Sequence, residues 1–241
     1  MSQSLDSHEV SLFTLYLRQI VYGGSDGIVT TFAVVAGFSG ANIDASLSSL
    51  PVLTVLLFGF ANLFADATSM GLGNFLSVRA DNDVYRKEHT LLKKKLAQDP
   101  ESYRAISKDL LEKKGFSSEE SEQISILYSK NTHYWANFMS RNLLNMSDSV
   151  DEKALQTSLA TFLAFISFGA IPLIPYILFN VDVNTQFMYS IVSAAIALIL
   201  LGILRWKVSR RNILISVFET LLIGSTSAVV AYFVGYMFQL G

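Results

Sequence analysis

Three carboxylates stand where an apolar setting makes a charge costly: Asp26, Asp66 and Glu219. An ionised side chain at the centre of a bilayer costs about 2.5–3.5 kcal/mol on insertion scales, and such residues usually line a pathway. Asp66 belongs to a ladder, Asn62, Asp66, Met70 and Asn74, each four residues on from the last. Residues at i and i+4 share one helix face, and at 1.5 Å per residue the ladder spans about 18 Å of depth. It offers two amides, a carboxylate and a thioether. Hard oxygens suit Mn²⁺ and Fe²⁺, and a thioether adds a preference for softer ions over Mg²⁺ or Ca²⁺. Met70 also has the ordinary reading of a gap-filler between helices. Glu219 is either a proton site or the partner of Arg205 or Arg18. Asp26 lies in the run Gly23-Gly24-Ser25-Asp26-Gly27, which weakens a helix and predicts a break at mid-depth. Discontinuous helices at that depth are a mark of ion sites.

These residues need apolar elements to hold them. Of 241 residues, 51% are hydrophobic and only 16% are charged, with a mean hydropathy of +0.40. A soluble domain is usually about 25% charged. A spanning helix needs about 20 mostly apolar residues, and five stretches qualify: Leu12–Gly40, Leu50–Val78, Ala154–Phe179, Thr185–Trp206 and Ile213–Leu240. The first has no basic segment ahead of it, since Met1–Leu17 holds no Lys or Arg, so it reads as a retained membrane helix. Within it Ala33 with Gly37, and Ala36 with Gly40, suit close helix packing, between subunits among other places. The absence of Cys excludes disulfides, thiolate metal sites and Cys nucleophiles. The three His and the net charge of −2 argue against a multi-His centre and against nucleic acid. No nucleophile–base pair suggests an enzyme, and no cofactor is expected.

Charge sets the topology. Thirteen of the 18 Lys and Arg lie in Arg79–Lys153, four at Arg205, Lys207, Arg210 and Arg211, and the last at Arg18. Ala41–Ser49 and Asn180–Asn184 have none. Five spans with the N-terminus inside put all 18 on the cytoplasmic side, as the positive-inside rule asks. The C-terminus then lies on the far side.

The expected organisation is all-α: five transmembrane helices with a cytoplasmic helical insert between helices 2 and 3. Residues 1–78 carry spans one and two, 79–153 the insert, and 154–241 spans three to five. Val78–Leu96 has no breaker, so span two can run on as one long helix. Asp99-Pro100-Glu101 reads as a helix start and Lys113-Lys114-Gly115 as its end. Ser117 with Glu120 fits a capping box. His89 and His133 are expected on solvated faces, and Lys93-Lys94-Lys95 on a solvated face or against anionic lipid.

The segment Asp26-Gly27-Ile28-Val29-Thr30-Thr31-Phe32-Ala33-Val34-Val35-Ala36-Gly37-Phe38-Ser39-Gly40-Ala41 closely resembles the first-span signature of the vacuolar iron transporter family. Ala65-Asp66-Ala67-Thr68-Ser69-Met70-Gly71-Leu72-Gly73-Asn74-Phe75-Leu76-Ser77-Val78 is similar to its second-span signature, and Ala170-Ile171-Pro172-Leu173-Ile174-Pro175-Tyr176 to its third. The resemblance covers nearly the whole chain. It implies export of Fe²⁺ and Mn²⁺ from the cytosol in exchange for protons, by a homodimer with the ion path between subunits. It also implies that Asp26 and Met70 contact metal. Asp66, Asn62 and Asn74 then complete the metal candidates, and Asp26, Asp66 and Glu219 the proton-coupling ones.

The chain departs from the family at two places. Gly73-Asn74-Phe75 stands where the family has Gly-Glu-Tyr or Gly-Glu-Phe. In the insert, Leu92 and Lys95 stand near positions where acids are expected, and Ser140 and Leu143 follow Met139 where Met and Glu are expected. The insert balances 13 acids with 13 bases. Glu88, Glu112 and Met139 are its remaining metal candidates, and it is not expected to trap metal. The expected function is therefore a proton-coupled divalent-metal exporter in contact with membrane lipid, in a bacterial plasma membrane rather than a vacuolar one. The alternative is a membrane-anchored interaction or sensing module whose insert binds a protein partner. Mid-membrane acids argue against it, because an anchor needs none.

Overall fold

A computed structural model describes residues 15–41, 50–146, 153–209 and 212–239. Residues 12–14, the connection at 42–49, the end of the insert at 147–152, Arg210, Arg211 and Leu240 lie outside the described residues. Among the described residues there is no strand. The helices are α1 (Leu17–Gly40), α2 (Leu50–Gln98), α3 (Pro100–Glu112), α4 (Ser118–Ser129), α5 (Thr132–Asn142), α6 (Ala154–Gly169), α7 (Ile174–Leu178), α8 (Val183–Ser209) and α9 (Ile213–Gln239). Five segments are long and apolar enough to cross a membrane: α1, α2, α6 with α7, α8 and α9. The protein is an all-α membrane protein. Its spans leave large apolar side chains uncovered, such as Leu214 at 74% and Phe238 at 81%. An apolar helix surface of this kind is stable in lipid, which is as apolar as Leu.

The chain divides into two compact units, Met1–Asn74 with Leu155–Gly241, and Phe75–Ala154. In the first, α1 packs on α8 and α9, and α8 packs on α9. Their shared core holds Ile28, Phe32, Val35, Leu173, Leu198 and Leu201. Glycines set the contacts. A Cβ on Gly40 would strike the Tyr232 carbonyl, and one on Gly235 the Gly37 carbonyl. The small residues of α1 near Gly37 and Gly40 are thus used within the chain, against α9.

The run Gly23–Gly27 does not break α1, which is continuous from Leu17 to Gly40. The glycines serve close approach instead: a Cβ on Gly23 would lie 2.6 Å from the Thr161 carbonyl oxygen, and one on Gly27 would strike that of Phe165. The break falls in the third span. After Gly169 the chain makes a 3₁₀ turn, Ile171–Leu173, and restarts as α7. Pro172 and Pro175 lack the N–H groups that would continue the ladder. The irregular stretch is tied to α8, where Ser190 Oγ donates to Pro172 O at 2.7 Å.

In the second unit α2 continues without interruption, as the lack of a breaker predicts. Asp99 caps α3 by accepting from the Ser102 N–H at 3.2 Å. Gly115, at φ 98°, turns the chain after α3. Ser117 and Glu120 form the capping box, with Ser117 N–H donating to Glu120 Oε2 at 2.8 Å. Leu92 and Leu96 of α2 pack against Trp135, Ala136 and Met139 of α5.

Candidate functional site

The site is built on α6. Gly23 and Gly27 seat α1 on the Thr161 and Phe165 backbone. Leu63 and Ala67 seat α2 on Phe165, with Met70 and Phe162 packed at the edge of the same cluster. Asn74 Nδ2 donates to Thr161 Oγ1 at 3.2 Å, and Thr161 Oγ1 donates back to Thr157 O at 3.0 Å. Two helices that share one support bring their acids together. Asp26 on α1 stands within electrostatic reach of Asp66 on α2, although 39 residues separate the two along the sequence (66 minus 26, less one).

Each rung of the ladder has a definite environment. Asn62 Nδ2 donates to Asp66 Oδ2 at 2.8 Å, which orients that carboxylate and leaves its second oxygen unengaged. Asp26 is half-buried, and among the described residues its carboxylate has no hydrogen-bond partner. Thr30 Oγ1 binds the Asp26 carbonyl at 2.9 Å, not the side chain. Met70 is half-buried, with its side chain against the Phe162–Phe165 cluster. Asn74, where the family carries a glutamate, is held by Thr161. A hydroxyl partner on the facing helix was not legible in the sequence: Thr161 lies 87 residues away.

Glu219 pairs with Arg205, Nη2 to Oε2 at 2.7 Å, and so ties α8 to α9. Of the two sequence-based readings of Glu219, the structure has the ion pair with Arg205. Among the described residues no three His, Asp or Glu side chains converge as a metal cluster.

The sequence profile of the VIT family matches residues 17–236. The chain belongs to the VIT family. The match runs from the first turn of α1 to the last turns of α9, so it includes every residue of the site. Among curated VIT relatives, the chain is 31% identical over 230 residues to "Vacuolar iron transporter 1" of Arabidopsis thaliana, covering 95% of this chain and 89% of that one. It is 30% identical over 230 residues to "Vacuolar iron transporter 2" of Oryza sativa subsp. japonica, covering 95% and 90%. It is 30% identical over 233 residues to "Vacuolar iron transporter" of Toxoplasma gondii, covering 93% and 75%. As a VIT protein it is a metal-ion transporter and not an enzyme.

The insert of this VIT chain puts its metal candidates apart. Met139 is fully buried in the α2–α5 core, and Ser107 Oγ donates to its sulfur at 3.3 Å while accepting from Trp135 Nε1 at 2.7 Å. Glu88 is half-buried and Glu112 exposed. Other insert acids are engaged: Glu101 with Arg104, Asp109 with Lys113 at 2.6 Å, and Glu122 with Lys108 at 3.1 Å. His133 is exposed, as expected for a solvated face, and His89 is half-buried; their ring centroids lie 5.6 Å apart.

Proposed function

We propose that this protein exports Fe²⁺ and Mn²⁺ from the cytosol in exchange for protons. The observation that carries the reading is the approach of Asp26 to Asp66 across α1 and α2. Two carboxylates that feel each other's charge repel when both are ionised, and either a dication or a proton relieves the repulsion. Metal and proton therefore compete for the same anions, which is the minimum needed to couple two gradients. Asp26, Asp66 and Met70 are the proposed ligands at mid-depth. Asn62 orients Asp66, and Asn74 is a weaker oxygen donor nearer the insert. Glu219, engaged by Arg205, acts in this reading as a clamp rather than a proton carrier.

A second copy completes the shell. One chain offers two carboxylates, and octahedral Mn²⁺ or Fe²⁺ wants about six donors. A homodimer with the path between the subunits supplies a matching set. The relatives named vacuolar iron transporter favour iron as one cargo. The proposed orientation keeps the N-terminus and the insert in the cytosol and the C-terminus outside, in a bacterial plasma membrane. The test is uptake of Fe²⁺ or Mn²⁺ into proteoliposomes with and without a pH gradient. Uptake that the gradient accelerates, with proton counterflow, supports the reading. Uptake indifferent to the gradient removes proton exchange, and no uptake of either ion removes the cargo.

A further inference from the structure

The insert carries a second grouping of metal-ligating side chains that the transport reading does not use. His89 of α2 and His133 of α5 meet with ring centroids 5.6 Å apart and planes at 86°. His89 is held from two further sides. Its ring stacks on Tyr85, with centroids 5.5 Å apart and planes within 15°, and Tyr85 is buried, 6% exposed. Its Nε2–H donates to Asn137 Oδ1 at 2.7 Å. That bond places the proton on Nε2 and leaves the Nδ1 lone pair free, as an outer partner does for a histidine that binds metal. His133 is exposed, so its ring can turn to aim a nitrogen.

We propose that His89 and His133 form a two-imidazole site for a borderline dication such as Cu²⁺, Zn²⁺ or Ni²⁺, with water completing the shell. An imidazole nitrogen binds Zn²⁺ at about 2.0–2.1 Å, which sets two ligating ring centroids roughly 5–6 Å apart. The observed separation lies in that range, and the exposed His133 ring has room to rotate toward an ion. Imidazole prefers these ions to Mg²⁺ or Ca²⁺. Binding would cross-link α2 to α5 inside the insert. This site does not depend on Asp26 or Asp66.

Electron paramagnetic resonance of the full chain in detergent, stripped of metal and titrated with Cu²⁺, tests the proposal. One Cu²⁺ per chain is expected, with coupling to two nitrogens and low-micromolar affinity. His133→Ala should remove one nitrogen and weaken binding at least tenfold. Asn137→Leu should weaken binding about tenfold while keeping both nitrogens. Asp26→Asn and His8→Ala should leave the two-nitrogen component of the spectrum unchanged, which separates this site from the oxygen-rich transport ladder and from the third histidine. Absence of a two-nitrogen spectrum in the unmodified protein, or one that survives His133→Ala, would overturn the assignment and leave the ring contact as aromatic packing only.

Discussion

Asn62 donates from Nδ2 to Oδ2 of Asp66 at 2.8 Å, one turn apart on α2. The amide engages one oxygen of the carboxylate. Asn62→Leu removes the donor at similar volume. We expect the protein to fold and the apparent affinity for transported Mn²⁺ to fall about ten- to a hundredfold, the usual cost of losing an outer partner. Initial uptake rates against Mn²⁺ concentration measure it, and an unchanged curve would make the bond incidental.

Asp26→Asn should abolish metal uptake while leaving folding intact. The amide is nearly isosteric, and the carboxylate it replaces has no hydrogen bond to lose among the described residues. Circular dichroism and size-exclusion chromatography should match the parent. Full uptake in this variant would take Asp26 out of the mechanism.

Met70→Leu separates packing from ligation. Leu keeps the contact with the Phe162–Phe165 cluster, and such a swap costs less than about 1.5 kcal/mol. Only the soft donor is lost. Competition of Ca²⁺ against Mn²⁺ uptake should therefore rise several-fold, and equal competition would leave Met70 with packing alone.

Gly27→Ala should cost more than its single methyl suggests. The new Cβ would strike the Phe165 carbonyl, and backbone cannot step aside as a side chain can. Overpacking of this kind costs about 1–3 kcal/mol. Thermal unfolding in detergent should show a lower midpoint, and uptake should fall with it because α1 carries Asp26 away from Asp66.

The insert should respond to acid through its caps. Hydrogen bonds from the Ser117 hydroxyl and backbone N–H hold Glu120 below its ordinary 4.5. The Ser102 bonds do the same for Asp99 relative to 3.8. A depressed carboxylate stabilises the fold fully above its unfolded value, and the contribution vanishes as pH falls through the lower folded value. Hydrogen-exchange protection of Ser118–Ser129 should thus decline below about pH 4.5. Ser117→Ala should flatten that decline, and an unaltered profile would dismiss the cap as its source.

Local signals carried much of this fold into the sequence. The five apolar runs, the uninterrupted stretch after Val78 and the Ser117–Glu120 box each involve residues within a few turns of one another, and each appears in the structure. The predicted break at Gly23–Gly27 failed for a physical reason. A glycine run has the same composition whether it bends a helix or lets another backbone approach it. Only Thr161 and Phe165, far along the chain, show that Gly23 and Gly27 do the second. The meeting of His89 with His133, and of Asn74 with Thr161, is likewise a product of helix packing and leaves no trace in spacing. The break at Pro172 was visible as two prolines three residues apart, but the apolar run around them hid it.

The seams at Gly23, Gly27, Gly40 and Gly235 bring backbone against backbone, with no layer of side chains between. A cushion of rotamers lets packed helices slip past each other by small adjustments, and here α1 has none. That lack is confined to the glycine seams, since Ile28, Phe32 and Val35 pack through side chains elsewhere; the seams clamp α1 to α6 beside Asp26 and to α9 at its far end. The segment is a stiff rail, and what adjusts to an arriving ion is the short, two-torsion arm of Asp26. Fit to ionic radius then depends on how accurately the rail is laid, so errors in helix seating should surface as lost discrimination between ions before they surface as lost transport.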